Sequence, residues 1–128
     1  MLTRTCAAGG TETILLVEDE PAIRGLVAQA LRKVGYQVLE ARNGLEALEV
    51  FERAGHVDLL LTDVQMPYLR GTDLTAKLRE KAPGLKTLLI SGYVARGQAT
   101  VDAPLLEKPF ARDALLKAVR ETLDSGQQ

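Results

Sequence analysis

The sequence is poor in cysteine, in aromatic residues and in long apolar runs. Cys6 is the single cysteine among 128 residues, so an internal disulfide bond is excluded. No apolar run approaches the roughly 20 residues that cross a bilayer, and the first ten residues lack the apolar stretch of a secretory signal. We therefore expect a cytoplasmic protein that makes no membrane contact of its own.

Neither sign of charge is in excess, because 16 Lys and Arg residues stand against 17 Asp and Glu residues. A general nucleic-acid binder needs a basic surface that displaces counterions from phosphates, so direct nucleic-acid binding is not expected. A length of 128 residues fits one compact domain. We predict that domain over residues 12–124, with residues 1–11 as a disordered tail or linker and residues 125–128 as a C-terminal tail.

Short β-rich runs alternate with helical stretches along the chain, which is typical of a parallel sheet covered on both faces. Continuous apolar runs predict strands that are buried on both sides. Five strands and five helices in alternation predict an α/β, doubly wound fold. The predicted strands are Thr13–Val17, Tyr36–Glu40, Asp58–Thr62, Lys86–Ile90 and Leu105–Leu106.

Apolar residues that recur at three- and four-residue steps predict the helices. Gly35 and Gly55 end the first two helices in the manner of C-cap glycines. Residues 94–102 are weakly patterned and predict a fourth helix, and a last amphipathic helix follows the fifth strand. The apolar stripe predicted on the first helix comprises Ile23, Leu26, Val27, Ala30, Leu31 and Val34.

Polar residues stand where four of the predicted strands end. Glu18 and Asp19 follow the first strand, and Asp63 follows the third. Ser91 and Lys108 follow the fourth and fifth strands. Ligands of doubly wound sheets bind beyond the carboxyl ends of the strands. If the first and third strands are neighbours, three carboxylates converge at one edge.

Three adjacent carboxylates repel one another unless a cation compensates, and Mg²⁺ is the usual cation of sites that also bind phosphate. Lys108 adds a positive charge and Ser91 a hydroxyl donor, which together orient an incoming phosphoryl group. Asp63 is the best-placed nucleophile, because it stands at the end of a buried strand. Each residue alone would be read as a cap, turn or surface residue; their conjunction indicates a phosphoryl-transfer site.

These residues lie in motifs that resemble the receiver domain of two-component response regulators. The resemblance runs from about Glu12 to Leu123 and implies a flavodoxin-like (βα)5 fold with five parallel strands in the order 2-1-3-4-5. It also implies a phosphohistidine donor on a sensor histidine kinase or histidine phosphotransfer domain, and a monomer or weak homodimer. The motifs are Leu15–Glu20, Leu61–Pro67 with Gly71, Ser91–Gly92 and Lys108–Phe110.

The resemblance implies a role for each site residue. Asp63 is expected to be the phosphoacceptor. Asp19 is expected to bind Mg²⁺ directly, Glu18 mainly through water, and Gln65 through its backbone carbonyl. Ser91 and Lys108 are expected to contact phosphoryl oxygens. Phosphorylation is then expected to move the surface made by the fourth helix, the fifth strand and the fifth helix. Such a domain is not an enzyme in the usual sense, although it assists its own phosphorylation and slow autodephosphorylation.

The sequence departs from the family pattern near the fifth strand. Leu105 stands where the family often has an aromatic switch residue, and 16 residues, 92–107, separate Ser91 from Lys108, so the fourth helix is expected to be short. Tyr93 is an alternative aromatic or a packing residue. Gln65 and Tyr93 occupy positions expected to set the lifetime of the aspartyl phosphate.

Other interpretations stay open at this point. The sequence is similar to receivers fused to hybrid sensor histidine kinases, which would tether it to a membrane-bound protein, but a stand-alone receiver fits as well. A degenerate receiver that acts as a phosphorylation-independent docking module is the alternative function. A phosphatase of the haloacid-dehalogenase type is disfavoured because Asp63 follows the third strand, not the first. A flavodoxin-type cofactor site is disfavoured because acidic residues follow the first strand.

Overall fold

The structure is a computed structural model that describes residues 10–64, 70–91 and 104–125. The fourth predicted helix, at 94–102, lies outside these residues, so the described helices are numbered without it. Among the described residues, no helix is long and apolar enough to span a membrane. The elements are β1 (Thr13–Val17), α1 (Pro21–Lys33), β2 (Gln37–Ala41), α2 (Gly44–Ala54), β3 (Leu59–Asp63), α3 (Gly71–Lys81), β4 (Lys86–Ser91), β5 (Leu105–Glu107) and α4 (Arg112–Asp124).

All five strands are parallel and lie in the order β2-β1-β3-β4-β5, which confirms the predicted sheet. β1 and β3 are neighbours, and Val17 is in register with Thr62. The residues that follow in each strand direction, Glu18 and Asp63, therefore meet at the same edge. Strand boundaries differ from the prediction by about one residue; β2 begins at Gln37 instead of Tyr36.

The sheet separates two apolar cores. Alternate residues of β1 point to opposite faces, so Leu16 packs with α1 and α4 while Leu15 and Val17 pack with α2 and α3. The side chains of Leu15 and Leu16 are completely buried. Burial on both faces explains why the central strands are apolar throughout, and it confines polar residues to the strand ends.

The predicted stripe on α1 is too wide. Leu26 is 68% exposed, whereas its neighbour Val27 is 3% exposed. Consecutive helical residues point about 100° apart, so Leu26 lies at the edge of the stripe, on the side turned towards solvent. The predicted stripe is therefore wrong at Leu26, and this leucine lies on the surface beside the segment that joins β5 to α4.

Candidate functional site

The carboxyl edge of the sheet brings three acidic side chains together. Glu18 and Asp19 begin the loop between β1 and α1, and Asp63 is the last residue of β3. One carboxylate oxygen from each of the three lies within 4.8 Å of the others. Glu18 and Asp63 are buried, with exposures of 1% and 6%, while Asp19 is exposed. The cluster is therefore closed on the sheet side and open to solvent on the side of Asp19.

Lys108 reaches into this cluster from the end of β5. Its Nζ donates a hydrogen bond to Asp63 Oδ2 at 2.8 Å and lies 3.4 Å from Glu18 Oε1. Its backbone N–H donates to the carbonyl oxygen of Ser91 at 2.7 Å. Burial lowers the pKa of Lys108, but the hydrogen bond and charge of Asp63 outweigh burial, and the net pKa is raised. Lys108 is therefore held as a cation between two carboxylates.

Burial and a neighbouring negative charge oppose the ionisation of Glu18. Its Oε2 accepts a hydrogen bond from the backbone N–H of Glu20 at 3.2 Å, whereas its buried Oε1 accepts none from the described residues. The pKa of Glu18 is raised to about 7, by burial first and by the charge of Asp63 second, while Lys108 partly opposes both. A buried carboxylate oxygen that accepts no hydrogen bond favours a bound cation or a proton.

The residues present fit a magnesium ion. Mg²⁺ prefers oxygen ligands, uses one or two carboxylates and retains several waters. The three carboxylates and the unsatisfied Glu18 Oε1 supply the ligand type, and the exposed Asp19 leaves a side where water can stay. Asp19, Asp63 and Glu18 are the described residues that would hold the ion.

Gly71 has a structural role that the sequence interpretation did not assign. It is the first residue of α3 and packs directly on the backbone of Asp63. A Cβ atom at this position would lie 2.2 Å from the carbonyl oxygen of Asp63, a distance that no ordinary contact allows. Gly71 is part of the sequence motif, but its contact with Asp63 could not be predicted from the motif, because that contact depends on tertiary packing.

Comparisons with known proteins agree with this geometry. The sequence profile described as the response regulator receiver domain matches residues 14–120. The chain belongs to this receiver-domain family. It is 41% identical to sensor kinase CckA of Brucella abortus over 121 residues, covering 90% of this chain and 13% of that kinase. It is 36% identical over 115 residues to the response regulator receiver protein CpdR of the same organism, covering 86% of this chain and 95% of CpdR.

Solved structures of receiver domains have the same fold. The receiver domain of the hybrid histidine kinase CckA superimposes with a TM-score of 0.76 at 38% identity, covering 87% of this chain and 98% of that structure. The present receiver domain thus corresponds to nearly the whole of that crystallised domain. It spans about 13% of the length of the curated sensor kinases that it matches.

The structure brings together five of the predicted site residues at one edge: Glu18, Asp19, Asp63, Ser91 and Lys108. Gln65 and Tyr93, the predicted metal-carbonyl and lifetime positions, lie outside the described residues. Leu105 is the first residue of β5, half-buried and paired in register with Leu89. The predicted roles of these residues in this receiver domain stay predictions.

We expect Gly71→Ala to destabilise this receiver domain by about 1–3 kcal/mol, because the added methyl group forces the backbone of Asp63 to move. Urea denaturation measures the free energy of unfolding, and NMR amide shifts of Asp63 and Val64 report the displacement. Gly25→Ala is the matched control, since an added Cβ there meets nothing within 4 Å. Equal effects of the two substitutions would contradict the role of Gly71.

We expect Glu18→Gln to stabilise the metal-free domain at pH 8 by about 1–3 kcal/mol and to have little effect at pH 5. The folded pKa of Glu18, about 7, exceeds the unfolded value of 4.5. Proton binding by Glu18 therefore stabilises the folded domain fully below about pH 4.5, and this stabilisation is lost as the pH rises through about 7.

Urea denaturation at pH 5 and pH 8, without metal and with saturating Mg²⁺, measures this effect. Mg²⁺ should stabilise the wild-type domain strongly and the variant weakly, since a ligand that binds the folded state alone stabilises it. Glu49→Gln, on the exposed face of α2, is the control and should behave like wild type. A stability difference between Glu18→Gln and wild type that does not change with pH would contradict the shifted pKa.

Proposed function

We propose that this receiver domain accepts a phosphoryl group on Asp63 from a phosphohistidine, with Mg²⁺ as the required cation. The observation that carries the proposal is the hydrogen bond from Lys108 Nζ to Asp63 Oδ2 within a cluster of three carboxylates. A carboxylate held beside a fixed cation at the open edge of the sheet is suited to act as a nucleophile.

In the proposed reaction, one carboxylate oxygen of Asp63 forms a bond to phosphorus as the bond from phosphorus to the donor imidazole nitrogen breaks. The electron pair of the broken bond stays on the imidazole. Lys108 pairs with a phosphoryl oxygen, and the Ser91 hydroxyl donates to another. Asp19, Asp63, Glu18 through water and the backbone carbonyl of Gln65 would hold Mg²⁺, whose charge would offset the negative charge on the phosphoryl oxygens.

Phosphorylation is then proposed to shift the domain between two states, because new contacts to the phosphoryl group stabilise one of them. The backbone hydrogen bond between Lys108 and Ser91 links the ends of β4 and β5. A movement of the Lys108 backbone would therefore displace the ends of both strands. The surface proposed to move is made by β5, by α4 and by the fourth helix predicted at 94–102, which lies outside the described residues. Leu105 has no ring to swing, and we propose that this output surface differs in detail from that of aromatic-switch receivers.

A groove beside the acidic cluster supports a partner that carries phosphohistidine. It has a volume of about 500 Å³ and lies between α1 and the segment joining β5 to α4. Leu26 and Phe110 supply apolar walls, Lys33 and Arg112 supply positive charge, and Lys108 belongs both to the groove and to the site. An occupant is therefore adjacent to Asp63, which fits a helix of a sensor histidine kinase or histidine phosphotransfer domain.

The relatives suggest a place for the domain in a phosphorelay. Sensor kinases CckA, LuxN and RcsC each contain a segment similar to it. We propose that the domain acts within a hybrid histidine kinase or beside one as a separate chain. It would face the cytoplasm, act as a monomer or weak homodimer, and bind no nucleic acid directly. Its own contribution to catalysis is limited to its phosphorylation and slow dephosphorylation.

We expect acetyl phosphate and Mg²⁺ to add one phosphoryl group to the domain, and we expect Asp63→Asn to accept none. Intact-protein mass spectrometry, with and without Mg²⁺, measures the modification. A gain that needs Mg²⁺ and is lost in Asp63→Asn supports the proposal. No gain in a folded wild-type domain that also fails to bind Mg²⁺ would favour the degenerate docking module instead.

We expect Leu26→Arg to slow phosphoryl transfer from a phosphorylated partner by about tenfold, as the loss of an apolar contact at an interface centre commonly does. The rate with acetyl phosphate should not change, because the small donor does not need the groove. Both rates are measured with the kinase or phosphotransfer domain that phosphorylates wild type fastest in a purified panel.

Leu45→Arg is the matched control for this prediction. Leu45 is also a large exposed apolar residue, 54% exposed, but it lies on α2 and is not part of the groove. Its substitution should leave both rates near wild type. Equal slowing by the two substitutions would show that the partner does not use the groove.

A further inference from the structure

Arg24 connects helix α1 to the loop that carries the acidic pair. It stands in the first turn of α1, and its side chain is 16% exposed. Its Nη1 donates a hydrogen bond of 2.9 Å to the backbone carbonyl of Glu18, and its Nε donates one of 3.3 Å to Glu40 Oε1. The guanidinium therefore joins the residue that follows β1 to a residue of β2.

The backbone of Glu18 is held on both sides. Its N–H donates to the carbonyl of Ala41 at 3.1 Å, and its carbonyl accepts from Arg24. Glu20, the N-cap residue of α1, makes no side-chain capping hydrogen bond among the described residues. Because the start of the helix is not fixed by a side-chain cap, the bond from Arg24 is an important restraint on the direction of the loop.

We propose that Arg24 is a positioning residue for the metal site. By holding the carbonyl of Glu18, it fixes the backbone from which the Glu18 and Asp19 side chains project, and so sets the spacing of these carboxylates relative to Asp63. The inference rests on the proposed magnesium-dependent function. Arg24 acts through Glu18 and touches neither the ion nor the phosphoryl group.

Charge and geometry predict opposite effects when Arg24 is replaced. Loss of a positive charge near three carboxylates would, by Coulombic attraction alone, strengthen the binding of Mg²⁺. Loss of the restraint on the Glu18 carbonyl would weaken binding, because residues that orient metal ligands commonly change the affinity by 10–100-fold, roughly, when removed. The sign of the change in Kd therefore distinguishes positioning from charge.

Substitution of Arg32 is a matched control for substitution of Arg24. It lies on the same helix, donates to the same carboxylate of Glu40 at 3.0 Å and donates to a backbone carbonyl, that of Val38, at 2.8 Å. Its carbonyl partner is in β2 and not in the acidic loop. Substitution of Arg32 removes the same types of bond and the same charge without releasing Glu18.

Calorimetric titration of the metal-free domain with Mg²⁺ tests the inference. We expect Arg24→Met to raise the Kd by about tenfold, while Arg32→Met and Glu40→Gln stay within about twofold of wild type. Glu40→Gln removes the ion pair of Arg24 but leaves its bond to the Glu18 carbonyl. Thermal unfolding without Mg²⁺ shows whether each variant is folded.

An unchanged or lower Kd in Arg24→Met would overturn the proposal, as would an equal increase in Arg32→Met or Glu40→Gln. If Arg24→Met fails to fold, Arg24→Ala decides by the same criterion, since alanine favours the helix and has neither the charge nor a side-chain donor. Absence of Mg²⁺ binding in wild type would overturn the proposed function together with this inference. Weakened binding in Arg24→Met alone supports the positioning role.

Discussion

Negative charge buried at the carboxyl edge is the constraint on which the rest of this receiver domain depends. Glu18 and Asp63 are almost completely buried, and their carboxylates lie close to each other and to that of Asp19. Burial and like-charge repulsion both oppose ionisation, and Lys108 supplies a single positive charge against three carboxylates. Full ionisation would leave two negative charges, which a divalent cation is suited to neutralise.

The sheet makes this arrangement possible because it holds the acids on a rigid base. β1 and β3 are neighbours with completely buried leucines on both faces, such as Leu15 on one face and Leu61 on the other. A closely packed interior resists relaxation, so the carboxylates cannot move apart to relieve their repulsion. Lys108 is anchored in the same way through its backbone bond to Ser91 at the end of β4. The repulsion at the edge is therefore relieved by a bound cation or by protonation of Glu18.

The sequence was sufficient to predict the fold and which described polar residues meet at the carboxyl edge, because strands buried on both faces force polar residues to the strand ends. Three features could not be predicted from the sequence. The exposure of Leu26 depends on which residues of a wide stripe face the sheet, and the need for glycine at position 71 depends on the approach of α3 to Asp63. The bond from Arg24 to the Glu18 carbonyl connects a side chain to a backbone atom, and no pattern of residue types encodes that contact.

The proposed chemistry and the proposed recognition use different physical properties. The acidic cluster would treat any phosphohistidine alike, since it contacts the phosphoryl group and the cation and has no means to read the donor protein. Discrimination among donors requires a difference in binding free energy that arises elsewhere. The groove can provide it, because the exposed Leu26 and the charged rim residues Lys33 and Arg112 are peripheral to the packed core and free to vary without disturbing Asp63. Lys108 belongs to both regions, so a donor that fits the groove would be brought directly to Asp63, the proposed nucleophile.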